Sequence, residues 1–268
     1  MPAHSHDTEF GGSVADNYER YFVPAIGAPL AADLVDAAAL HPSERVLDVA
    51  CGTGVIARLA ARRVGDGGRM ATSNINRDML QTARATTTDA SIEWDEANAE
   101  SLPHADESFD AVLCQMGLQF VGNKLAALRE MRRVLVEGGR VVLNVPGPTP
   151  PPMAAFADAL SRHVNPEAGS FVQLVFALHD PDELRGLLET AGFRSIDVKR
   201  VTKPLRVPPA DRFMWQYIHS TPMAGILEKL DEQHRTALER DVTARWRAYG
   251  ANGGMRLDVE MTTAIGFK

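Results

Sequence analysis

Apolar residues along this chain recur at two different spacings, and the switches between them divide it into elements. Leu30 to Leu40 (LAADLVDAAAL) is alanine-rich with apolar positions at helical spacing, and HPSE then ends it. Arg45 to Cys51 (RVLDVAC) is a short continuous apolar run, the pattern of a parallel strand buried on both faces. After Gly-Thr-Gly, Val55 to Arg63 (VIARLAARR) returns to the helical period. The alternation repeats: strand Arg69 to Ile75, helix Arg77 to Thr86, strand Ser91 to Asn98, strand Ser108 to Met116, helix Lys124 to Leu135, then the tight turn and strand EGGRVVLNVP. Strands alternating with helices of about ten residues predict an α/β fold, doubly wound around a mostly parallel sheet.

Beyond Pro146 the pattern changes. PGPTPPP continues neither a strand nor a helix. Helices are expected near Met153 to His163 and Pro181 to Ala191, and a strand, SIDVKRV, follows Gly192. Pro208 to Gly254 is mostly helical in pattern, and the closing RLDVEMTTAIGFK alternates like an edge strand. A sheet interrupted before its last strand by about forty helical residues predicts a cap over a pocket.

The 268 residues, 45% of them hydrophobic, suffice for a substantial core, and a formal charge of -7 argues against a nucleic-acid partner. Cys51 and Cys114 fall at strand ends without a CxxC or a histidine cluster, so they read as core or pocket-wall thiols in a reducing compartment, and no metal site is expected. His4 and His6 read as part of a solvated tail. No uninterrupted apolar run approaches the roughly 18 residues of a membrane span, and the start lacks a secretion signal, so a cytoplasmic protein is expected. Self-association as a homodimer is left open.

In open α/β sheets ligands sit at the carboxyl ends of the strands, so chemistry is sought where each strand stops. The first tip, DVACGTG (Asp48 to Gly54), carries small residues that admit close backbone approach, ahead of a helix N-terminus. It lacks the GxGxxG of a dinucleotide fingerprint and the GK[ST] of a P-loop. Its spacing resembles the DxGxGxG motif of class I S-adenosylmethionine-dependent methyltransferases, with Ala50 in place of the first glycine. Glu96 to Val121 (EANAESLPHADESFDAVLCQMGLQFV) and Ala127 to Leu143 (ALREMRRVLVEGGRVVL) resemble further runs of the small-molecule branch of that family, which includes the ubiquinone and menaquinone biosynthesis methyltransferases. Roughly Tyr18 to Ala191 carries the resemblance.

The resemblance implies a seven-stranded, Rossmann-like sheet with an antiparallel last strand and a helical cap. It divides the chain into an N-terminal helical lid (1–40), a cofactor-binding core (41–147, continued at 181–203 and closed by a last strand at 256–268), a helical linker or cap (148–180) and an inserted helical cap (204–255). It implies S-adenosyl-L-methionine as cofactor, with Asp48, Ala50, Gly52 and Gly54 along its methionine part and Asn74 at the ribose. Ile75 would pack on the adenine, Asn98 and Ala99 would read its edge, and Gln115 would face the methionine tail or the substrate. Tyr18 and Tyr21 would close over the cofactor. Family members carry acidic residues at the positions of Asn74 and Asn98. An amide keeps an accepting oxygen but binds more weakly, by roughly tenfold per site.

Methyl transfer from a sulfonium depends on alignment and exclusion of water, so neither triad nor metal is needed. A general base is needed only for an acceptor with a high pKa. Candidates are Tyr18, Tyr21, His163, His179 and the WQYIHS segment, with His219 and Tyr217 preferred. Met153, Phe156, Phe171, Phe176, Phe213, Trp215 and Met223 suggest an apolar pocket for a small-molecule acceptor. The alternative is a protein that keeps the fold and a nucleoside ligand but transfers no methyl group, serving as a binding module or promoting another rearrangement.

Overall fold

The computed structural model describes residues 13–88, 91–227 and 230–268. The tail histidines His4 and His6 lie outside them. Five strands follow the predicted order: β1 (Arg45–Val49), β2 (Arg69–Asn74), β3 (Ile92–Glu96), β4 (Phe109–Gln115) and β5 (Leu135–Pro146). They pair in parallel in the order β3-β2-β1-β4-β5. The register aligns Asp48 with Thr72 and Leu113, Asn74 with Glu96, and Gln115 with Asn144, so the carboxyl ends stop on one rim.

β6 (Arg194–Val207) and β8 (Gly254–Phe267) complete the sheet, while the two-residue β7 (Gly250–Ala251) pairs only with β8. β8 is antiparallel to both β5 and β6. The last strand therefore lies inside the sheet and β6 forms its edge. The alternation of β8 has a different cause: Met255, Leu257, Val259 and Met261 face a covered core while Arg256 and Asp258 face solvent. With 14 residues each, β6 and β8 form a ribbon longer than β1 to β4, and its far end carries the cap.

One sheet face is packed by helix Val55–Val64 and the end of the first helix, through Leu34, Val35, Ile56 and Ala60. Helices Lys124–Val134 and Pro181–Thr190 cover the other through Leu128, Met131, Leu184 and Leu188. A third core joins helices Pro151–His163, Ala210–His219 and Glu232–Trp246 to the ribbon, with Trp246 fully buried against Phe156 and Phe213. The Trp246 indole N–H donates to the Pro152 carbonyl at 2.7 Å, which satisfies its one polar group.

The first helix runs from Ser13 to Ala38, much further than the pattern from Leu30 suggested. By length and composition alone it is apolar enough to cross a membrane. Asp33 and Asp36 interrupt the apolar run but do not offset it over a full window. In the fold Val23, Ile26, Leu30, Ala31, Leu34 and Val35 are buried, several of them within two of the cores. Tyr18–Gly27 is wound as a π-helix around Pro24, and the Ala28 N–H reaches back five residues to the Val23 carbonyl. In an α-helix, residues four apart drift by about 40° per step. The wider winding reduces that drift and keeps Tyr18, Phe22, Ile26 and Leu30 on the wall of one cavity.

Candidate active site

A cavity of about 410 Å³ opens at the strand rim and continues beneath the cap. Ligand pockets for small molecules begin at roughly 300 Å³. One lobe is walled by the tips of β1 to β4, including Ala50, Gly52, Asn74, Ile75, Asn98, Ala99 and Gln115. The other is apolar, walled by Phe22, Phe120, Met153, Phe171, Phe176, Leu257 and Val259, with Tyr217 and Thr221 among them.

The β1 turn alternates left-handed residues: Ala50 at φ 57, Gly52 at φ 55 and Gly54 at φ 83. Left-handed backbone costs an alanine about 1–2 kcal/mol that a glycine avoids. Gly54 starts helix Val55–Val64, and a Cβ there would lie 2.5 Å from the Trp94 ring, so a side chain is excluded on two grounds. Gly54 therefore shapes the turn from behind. Tyr18 lies over Gly52, its Cε1 3.8 Å from where a Cβ would stand, and stacks on Phe22 with centroids 4.5 Å apart.

Asp48 is buried at the end of β1 and faces the Ala57 N–H without a hydrogen bond of ordinary geometry to either oxygen. Burial pushes its pKa well above the usual carboxylate range, partly offset by that N–H. It does not line the cavity and so supports the turn from below. Burial also raises the Cys51 thiol, and pushes Cys114 up to about 12, so both stay protonated and unreactive near neutrality.

Both strand-tip asparagines form the same local turn. Asn74 Oδ1 accepts the Asn76 N–H at 2.9 Å, and Asn98 Oδ1 accepts the Glu100 N–H at 2.9 Å. These bonds orient each amide, and the Asn74 side chain also hydrogen-bonds the Cys51 thiol. One lone pair of each oxygen is engaged in its turn, and the second can still accept from a ligand. Asn76 in turn caps helix Arg77–Thr86 by accepting the Met79 N–H at 2.9 Å. Ile75, 38% exposed between these residues, offers an apolar surface beside the cavity. The Gln115 amide donates to the Gly27 carbonyl at 3.0 Å and so ties the β4 tip to the first helix.

The proposed base residues separate. Tyr217 and His219 are two positions apart on one helix, hence about 200° apart around its axis. Tyr217 lines the cavity, whereas His219 is exposed, stacked on Trp215 outside it. Burial raises the phenol pKa of Tyr217, and the same cause does so for Tyr18. Tyr21 lies outside the cavity lining with Arg20 over its ring. His163 pairs with Asp241 at 2.9 Å and His179 with the Phe176 carbonyl at 3.0 Å, both away from the lining. Of the expected apolar wall, Met153, Phe171 and Phe176 reach the cavity; Phe156, Phe213 and Met223 pack in the core behind it, and Trp215 donates to Glu239 at 3.1 Å. Leu257 and Val259 were not anticipated, since their place on the wall depends on where the ribbon docks. Among the described residues no group of His, Cys, Asp and Glu could hold a metal ion.

A glycine turn ahead of a helix, amide side chains at two adjacent strand tips and a tyrosine over the turn border one cavity at the rim of a mostly parallel sheet. The chain belongs to the ubiE/COQ5 methyltransferase family, whose model matches residues 30–206. It is an S-adenosylmethionine-dependent methyltransferase. Over 184 residues it is 34% identical to the ubiquinone/menaquinone biosynthesis C-methyltransferase UbiE of Klebsiella pneumoniae (strain 342), covering 63% of this chain and 73% of that one. Its fold is similar to that of Haemonchus contortus phosphoethanolamine N-methyltransferase 2 in complex with S-adenosyl-L-methionine, with a TM-score of 0.58 and 18% identity over 90% of this chain and 52% of that one. It is also similar to the [4+2]-cyclase SpnF, with a TM-score of 0.55 and 19% identity over 90% of this chain and 81% of that one.

Proposed function

We propose that the enzyme methylates a small, mostly apolar molecule held in the cap lobe, with the cofactor along the strand rim. The observation that carries this reading is the continuity of one cavity from the β1 turn to the apolar wall under the cap. When bound, S-adenosylmethionine supplies a methyl group on a positively charged sulfur, which leaves without covalent help from the protein.

Ala50, Gly52 and Gln115 border the methionine part, with Asp48 and Gly54 holding the turn from behind. Asn74 meets the ribose, Ile75 and Ala99 the faces of the adenine, and Tyr18 closes the turn from above. Residues 13–40 serve as the lid, the earlier part of the expected 1–40 segment lying outside the described residues. Residues 41–147, 181–203 and 256–268 form the cofactor core, and 148–180 with 204–255 form the cap. Phe171, Phe176 and Met153 exclude water and align the acceptor, which is where the rate of such a transfer originates. The neutral phenol of Tyr217 donates a hydrogen bond to the acceptor, and His219 stays outside the reaction.

The C-methylation named for the UbiE relatives supports carbon as the accepting atom. Met153, Phe171 and Phe176 of the apolar wall fall within the matched residues 30–206, whereas Tyr217, Leu257 and Val259 fall outside them. Two buried free cysteines support work in the reducing cytoplasm. The test is transfer of a deuterated methyl group, followed by mass spectrometry, over a panel of acceptors graded in polarity. Apolar acceptors should gain the label, and Phe176→Asp should suppress transfer while sparing S-adenosylhomocysteine binding. Preference for polar acceptors, or full transfer by that variant, would overturn the proposal.

A further inference from the structure

Arg58 stands on helix Val55–Val64, behind the β1 turn and outside the cavity lining. One guanidinium nitrogen donates to the Thr53 carbonyl of that turn at 2.6 Å, and the other donates to Glu19 at 2.7 Å. Glu19 follows Tyr18 in the chain, and Tyr18 lies over Gly52 of the same turn. The ion pair therefore joins the turn to the segment that covers it. Glu19 Oε2 is buried without a partner among the described residues, so Arg58 is what compensates this carboxylate. Hydroxyl groups tie the segment elsewhere: Thr82 donates to Asp16 at 2.9 Å, and Ser220 to the Asn17 carbonyl at 3.0 Å. Pro24 supplies no N–H to the helix, so this segment is joined to the part beyond it by one hydrogen bond fewer.

A molecule lying on the β1 turn is covered by the Tyr18 ring, and it enters or leaves when that ring swings away. We propose that Arg58 and Glu19 are the latch of the lid, positioning residues that hold Tyr18 over the turn and set how often it opens. Neither residue lines the cavity, so the pair holds the lid alike before and after a ligand binds. Breaking it therefore changes the rates of entry and release more than the affinity. This inference rests on the placement of the cofactor along the rim.

Surface plasmon resonance on the immobilised enzyme measures both rate constants for S-adenosylhomocysteine. Glu19→Gln should raise each about fivefold, the upper range for an ion pair that is not fully buried, and leave Kd within twofold. Glu19→Asp, which keeps the charge, should give smaller increases in both. Adding Glu19→Gln to Tyr18→Ala should change neither rate constant by more than twofold, because no ring remains to be held. Asp33→Asn breaks the pair with Lys203 further along the same helix and should leave both rate constants within twofold of wild type. Wild-type rate constants in Glu19→Gln, or the same fivefold increase in the Tyr18→Ala background, would overturn the latch while leaving the cofactor site intact. Faster release alone, with Kd raised to match, would also overturn it by showing that the pair supports binding itself. Failure of wild type to bind the compound would remove the cofactor placement together with the latch.

Discussion

A Cβ placed on Gly117 would lie 2.6 Å from the Cβ of Ala50. Ala50 occupies a left-handed position where the family motif has glycine, and its methyl group takes the space that Gly117 leaves empty. Gly117 itself has φ -107, which any residue adopts, so space alone requires a glycine there. Ala50→Gly should leave stability unchanged or raise it by about 1 kcal/mol, since relief of strain outweighs the added freedom of the unfolded chain. Gly117→Ala should cost about 1–3 kcal/mol by overpacking, and appreciably less in the Ala50→Gly background. Denaturant unfolding of the four proteins checks this, and strict additivity would show that the two positions are not coupled.

The paired turns at the strand tips bear on the ribose. An aspartate at position 74 can keep the bond to the Asn76 N–H with one oxygen and present the other as a charged acceptor. Asn74→Asp should therefore tighten S-adenosylhomocysteine severalfold, up to about tenfold. The same change buries a carboxylate where the amide is 9% exposed, so the ligand-free protein should melt lower. Titration with melting of the free variant measures both effects. Unchanged affinity would mean that the ribose is held elsewhere.

Asp48 gives stability a direction with pH. Its folded pKa is raised by burial, so between about pH 3.9, the unfolded value, and the folded pKa the native state holds more protons than the unfolded one. Its contribution is full below that window and is lost as pH rises through it. Asp48→Asn removes the titration and should raise stability at pH 7 by on the order of 1 kcal/mol, with little gain at pH 4. Thermal melts of both proteins from pH 4 to pH 8 test this, and a gain that grows toward acid would contradict the sign.

The parallel half of the sheet and the rim residues were legible because continuous apolar runs leave one architecture open and place Ala50, Asn74, Asn98 and Gln115 at strand ends. Three features were not. The helical pattern starts at Leu30, yet the helix begins at Ser13: the π-wound segment Tyr18–Gly27 accommodates Pro24 and carries Phe22 and Ile26 to the cavity, and Pro29 sits in the first turn of the α-helical part that follows. The alternation in β8 reports one covered face, and a cap covers a face as well as an edge position exposes one. Side-chain direction was also hidden: the text WQYIHS does not reveal that Tyr217 points inward and His219 outward, because the helix phase is set by Phe213 and Met214 packing into the cap core.

That phase gives the sharpest test of the chemistry. Burial keeps the Tyr217 phenol above its ordinary pKa of about 10, so near neutrality it donates a hydrogen bond and takes no proton. His219 is exposed on the opposite face. With an acceptor that the wild-type enzyme methylates, Tyr217→Phe should lower kcat/KM for that acceptor by about tenfold, the loss of one buried hydrogen bond, and leave S-adenosylhomocysteine binding within twofold. His219→Ala should leave both quantities within twofold. Between pH 6 and pH 9 the wild-type rate should show no limb that Tyr217→Phe removes. Initial rates across that range on the three proteins decide the matter: a lost alkaline limb in Tyr217→Phe would make the phenol a base, and a large defect in His219→Ala would require the cap to bring that histidine round to the cavity.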